Sequence, residues 1–184
     1  MICIVKIKPE KHESGELYTV LIGSDVKPAC FINITKNAGW VSVGFLDQEL
    51  REYLFYSFKL INDNKLFLSM AVHREFAENE GAGILNVSSG TTYIFNEDGN
   101  TTVREERFNP YKLEESQTMV DISGNYDKFP EFGKYDLLIR KERKYYHHQR
   151  AQDIMLIVRG WVVSTANNQY YVDLQADIYI SFYV

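Results

Sequence analysis

Two cysteines, four prolines, four histidines and eleven glycines in 184 residues are thin material for several kinds of protein. A secreted domain of this size that depends on bridges would carry more cysteine. Cys3 and Cys30, each in an apolar early strand, therefore read as reduced core residues, with a single bridge between them as the alternative. No Cys, His or carboxylate stands at zinc-ligand spacing around His147-His148, and His12 and His73 are isolated, so no metal site is expected. No window approaches the ~18 apolar residues of a membrane helix. Met1-Ile-Cys-Ile-Val-Lys6 is too short and lacks the basic start of a signal peptide, which points to the cytosol. Asn33, Asn86 and Asn100 open glycosylation-type triplets, a pattern common by chance that means little without export. Ser88-Ser-Gly90 has no nucleophile-elbow context, and Glu80-Gly-Ala-Gly83 lacks the Lys-Ser/Thr and helix of a phosphate loop. No linker, repeat or low-complexity tract divides the chain, so one domain over residues 1–184 is expected, with no catalytic residues and no cofactor.

What the chain does have is alternation. Apolar runs of strand length, enriched by 13 Tyr, 11 Phe and 2 Trp, recur along its length. Tyr171, Leu174, Ile178, Ile180 and Phe182 show the clearest two-faced spacing. Strands are expected near 2–8, 16–23, 29–35 and 39–45, punctuated by Pro9, Gly15, Pro28 and Asn37-Ala-Gly39. Residues 47–61 admit two readings. Leu50, Leu54, Phe58 and Ile61 lie at helical spacing behind Asp47, which could cap free amides. The favoured alternative is a strand from Tyr53 to Ile61, a turn at Asn62-Asp-Asn64 and a partner strand from Lys65 to Phe76. Thr91 to Phe108 reads as a hairpin about Glu97-Asp-Gly99, because glycine accepts positive φ there. Further strands are expected near 117–122, from Tyr135, and at 154–163 paired with 170–184. The fold class is mainly β: an antiparallel sandwich or barrel-like meander with at most one or two short helices.

Charge is unevenly spread. The whole chain carries a net −5. Nine acids between Glu75 and Glu115 stand against Arg104, Arg107 and Lys112, leaving −6 in that span. Glu75, Glu78, Glu80, Glu97, Asp98, Glu105 and Glu106 are the candidate partner-binding residues, since an acidic field speeds association with a basic protein. Solubility and protection of edge strands account for the same acids without a partner. The opposite patch, Arg140-Lys-Glu-Arg-Lys-Tyr-Tyr-His-His-Gln-Arg150, mixes five cations with tyrosines, a pattern that can hold single-stranded nucleic acid. Set in an acidic whole, a solvated loop or strand end is the default, and the charge balance argues against a nucleic-acid partner.

The leaderless start Met1 to Lys8, the acidic hairpin Phe95-Asn-Glu-Asp-Gly99 and the tyrosine-rich end Tyr170-Tyr-Val-Asp173 give an overall character. In it the chain resembles bacterial toxin immunity proteins of the contact-dependent growth inhibition type. The likeness implies a cytoplasmic inhibitor that neutralises a cognate, basic toxin, plausibly a nuclease, by filling its cleft with carboxylates and desolvating the rim with tyrosines. It fixes neither the toxin nor an oligomeric state. The rival expectation is a β-barrel or sandwich that binds a small ligand or carbohydrate between aromatic walls, with Trp40, Trp161 and tyrosines as lining.

Overall fold

A computed structural model describes residues 9–77, 86–149 and 152–157. A short helix, α1 (Pro9–Ser14), precedes a run of antiparallel strands: β1 (Tyr18–Ile22), β2 (Cys30–Thr35), β3 (Trp40–Leu46) and β4 (Glu52–Asn62). There follow β5 (Lys65–Phe76), β6 (Val87–Phe95), β7 (Asn100–Phe108), β8 (Tyr111–Asp121), β9 (Tyr126–Lys128), β10 (Lys144–Gln149) and β11 (Gln152–Ile157). Each of β1 to β7 pairs with the next, so sequence order is spatial order through β8, and among the described residues the sheet stays open rather than closing into a barrel. β9 turns back beside the start of β5, β10 pairs with the end of β8, and β11 pairs with β10. The mainly β, antiparallel expectation holds, in its meander form.

Period-two burial explains the first half of the sheet. Val20, Ile32, Val43 and Tyr56 lie in register across four strands and are wholly buried. The rows on either side, Ile22–Cys30–Phe45–Leu54 and Tyr18–Ile34–Val41–Phe58, are buried on the same face. The chain from Ile122 to Arg143 lies over that face. Tyr135 and Leu138 are buried in it, and the Tyr56 hydroxyl donates to the Lys141 carbonyl at 2.7 Å. Arg143 stacks on Phe58 and Tyr56, 4.9 and 5.3 Å from the ring centroids, and reaches the buried Asp127 at 2.7 Å. A charge is tolerated at that depth because its opposite is supplied in the same step.

Residues 47–61 resolve in favour of the hairpin. Asp63-Asn64 joins β4 to β5, and the Asn62 side chain accepts the Asn64 amide at 3.2 Å. Asp47 still caps amides, accepting from Glu49 and Arg51 at 2.8 and 2.9 Å, but they close a turn and no helix follows. The Thr91–Phe108 hairpin is present as β6–β7. Gly99 has φ 90°, and a Cβ there would meet the Val120 carbonyl at 2.9 Å, so conformation and space both require glycine.

Three expectations need correction or completion. No strand begins at Tyr135: the Leu138 and Ile139 amides donate back to its carbonyl, and Tyr135, Leu138 and Ile139 sit at helical spacing that turns them together onto the core. β8 starts at Tyr111, well before 117, because its early residues are all exposed and show no apolar alternation. β9 has three residues and no hydrophobic run to announce it. The strand near 2–8 and the partner strand at 170–184 lie outside the described residues, as does Cys3.

Candidate functional site

Among the described residues the covering chain ends beyond β5, and the half-buried β6 leads into β7 and β8, a ribbon largely exposed toward the β7–β8 turn. The ladder assigns its side chains to faces. Leu54, His73, Thr91, Glu105 and Glu114 form one row, on the face that is buried in β1–β4. Val72, Thr92, Arg104 and Glu115 form a row on the other face, as do Arg74, Gly90, Glu106 and Leu113. Neighbouring carboxylates Glu105 and Glu106 therefore project to opposite sides of the ribbon.

The expected acidic residues separate into two groups. Glu97 and Asp98 sit at the β6–β7 turn. Asn100 binds Asp98 through its backbone and side-chain amides, each at 2.9 Å, and these bonds lower the Asp98 carboxyl. Glu97 lies 4.0 Å from Lys59. Seven residues of strand, about 24 Å, separate Asp98 from Glu105 at the other end. There Glu75 accepts the Ser89 hydroxyl at 2.6 Å and shares a face with Glu105. Glu114 and Glu115 are partly neutralised: Lys112 lies 2.6 Å from the first and lowers its carboxyl, and Arg104 lies 2.9 Å from the second. Glu78 and Glu80 fall outside the described residues. Carboxylates counted together along the chain are thus distributed over two faces and two ends.

At the Glu105–Glu106 end stand residues that the sequence reading passed over. Phe108, Tyr111 and Leu113 are 46%, 63% and 45% exposed at the β7–β8 turn. The Phe108 and Tyr111 rings are 6.2 Å apart, and the Tyr111 hydroxyl donates to Glu106 at 3.4 Å. Two aromatic residues flanking Asn109-Pro110 were the available signal, since that pair of turn formers between rings marks a hairpin tip.

Elsewhere the histidines and the described cysteine sit in settings that favour structure over chemistry. His73 is held below its usual value, burial outweighing the opposing pull of Glu75. His12 is lowered too, by burial and by Lys36, and meets the Tyr18 hydroxyl at 2.6 Å. Burial lifts the Cys30 thiol to about 11, leaving it a poor nucleophile. His147 and His148 pair through their backbones with Ile154 and Asp153 of β11. No three His, Cys, Asp or Glu side chains gather as metal ligands among the described residues. Trp40, as expected, lines a surface groove of about 440 Å³, but its companions are Phe67, Met70 and Ile94 rather than tyrosines. Trp161 lies outside the described residues. Among them no helix is long and apolar enough to cross a membrane. Comparison with protein-family models, curated proteins and solved structures returned no match to this chain.

Proposed function

We propose that this chain is a protein-binding module of the immunity class. It inhibits a basic toxin through the β7–β8 turn end of its ribbon. One observation carries the reading: Phe108, Tyr111 and Leu113 stand exposed beside Glu105 and Glu106, at the end of a ribbon no other described segment covers. Aromatic anchors ringed by charge are the composition of an interface centre and its rim. The carboxylates steer a basic partner in, and the rings hold it by excluding water. Glu97 and Asp98, at the far end, fall outside this contact.

Immobilised wild-type chain, an E105K/E106K/Y111A variant and an E97K/D98K variant, each exposed to lysate of the source organism, test the reading. A basic protein retained by the first and third but not the second is the expected result. With that partner purified, E105K/E106K alone should slow association by about tenfold or more at low salt, and less as salt rises. Equal retention by all three baits, or co-expression of the partner's gene harming cells equally with and without this chain, would sink it. The carbohydrate-binding rival draws on the Trp40 groove; tryptophan fluorescence unmoved by a panel of oligosaccharides in wild type removes its support.

A further inference from the structure

We propose that the cleft between the β4–β5 turn and β9 is a binding site for a phosphate monoester. It is distinct from the β7–β8 turn end of the ribbon: about eleven strand residues, roughly 35 Å, separate Lys65 from Phe76 along β5.

Lys65 and Lys128 are direct partners across the β5–β9 ladder, an arrangement of like charges that destabilises a sheet unless something compensates it. The neighbouring carboxylate, Asp127, turns to the opposite, buried face of β9 and is already committed. Asp127 is 2% exposed at its side chain and binds Arg140 through Oδ1 and Arg143 through Oδ2, each at 2.7 Å. Of the residues lining the cleft, Lys65, Lys128 and Arg140 are cations and Asp127 is the carboxylate, a surplus of two in a molecule that is net negative. Asp63 on the adjoining turn and Asp136 beside Leu137 are the nearest acids in sequence, and neither lines the cleft.

The cations are also placed. Arg140 is pinned on two sides, its Nη2 by Asp127 and its Nε by the Leu137 carbonyl at 3.0 Å, while about half of its side chain faces the cleft. A guanidinium has five N–H donors in a planar fork, so those not engaged remain available in a fixed plane, which suits phosphate oxygens. Lys65 sits with its Nζ 3.9 Å from the centroid of the Tyr126 ring, held at the wall by cation–π attraction. Asn62 and Asn64 line the same rim. A dianion offsets both surplus charges, where a carboxylate offsets one. The cleft is open to solvent and has a volume of about 680 Å³, room for an ester's organic portion as well as its phosphate.

Thermal unfolding and calorimetry at constant ionic strength, balanced with potassium chloride, test the site. The ligands are inorganic phosphate, adenosine 5′-monophosphate and adenosine. Phosphate and the monophosphate should raise the melting temperature, and adenosine should not. In K65Q/K128Q, two exposed positions, affinity for the monophosphate should fall by about tenfold or more. The ligand-free variant should melt no lower than wild type, since a repulsion has been removed, so loss of binding cannot be ascribed to misfolding. A phosphate effect no larger than that of chloride overturns the proposal. So does equal stabilisation of wild type and variant, or protection by a single-stranded oligonucleotide alone, which would make the cleft a nucleic-acid contact instead.

Discussion

Arg143 ties the covering chain to the sheet through charge and aromatic contact at once. Its guanidinium lies between the aromatic floor of Phe58 and Tyr56 and the carboxylate of Asp127, and it is 1% exposed. Removing it uncovers the floor and leaves Asp127 with Arg140 alone. Arg143→Ala should cost about 3–5 kcal/mol in urea unfolding. The double variant D127N/R143M, which removes both charges and keeps volume, should recover much of that loss; if the double is as unstable as the single, the pairing is not what matters. The histidines give a second prediction at this scale. His12 and His73 both have folded values below the ordinary 6.5, so the unfolded chain binds more protons. Stability is then highest above that value and falls as pH drops below it. The melting temperature should decline from pH 7 to 5, and His73→Gln should flatten part of the decline, as calorimetry across that range would show. Leu50 holds φ 63° while 43% exposed, so it spends strain on little burial. Leu50→Asn should stabilise by roughly 1 kcal/mol in the same urea assay.

At the scale of elements, what could be read from the sequence tracks what is buried. β1 to β4 each place alternate residues on the buried face, so selection for packing wrote the period into the sequence. The β6–β7 hairpin was legible for another reason: Gly99 is confined by φ 90° and by the Val120 carbonyl at once. Gly99→Ala should therefore cost about 1–3 kcal/mol and loosen the tie between this turn and β8. Loss of protection at the Val120 amide, which donates to the Gly99 carbonyl at 3.0 Å, would report the second effect. A variant as stable as wild type with Val120 still protected would show the turn to be more tolerant than its geometry implies. β8 and β9 were illegible because nothing buries their early residues in one and their number is too few in the other. Tyr135 misled because its apolar neighbours suit a strand, while the fold uses them at helical spacing to cap the core. The candidate site was half legible. Linear counting finds the acids, but only register shows that Glu105 and Glu106 face opposite ways and that Asp98 is a strand's length away.

Over the whole molecule the sheet divides into two regimes with one backbone. From β1 to β5 hydrogen bonds are sealed beneath side chains on the covered face; from the half-buried β6 to β8 the same ladder opens toward water, with Phe95, Thr101 and Val120 its few buried residues. Opening a strand pair costs the burial it forfeits, so the two regimes should open with different free energies. Native-state amide exchange should find β2–β4 protected close to the global unfolding limit and the β7–β8 ladder opening well below it, most easily near Phe108 and Tyr111. A ribbon of that kind can bend to a partner's surface, but ordering it on contact subtracts from affinity. Binding of the partner proposed above should thus raise protection along β7–β8 far more than in β2–β4. Uniform protection before binding, with no change on the ribbon after it, would mean that the open strands are as rigid as the covered ones and that contact lies elsewhere.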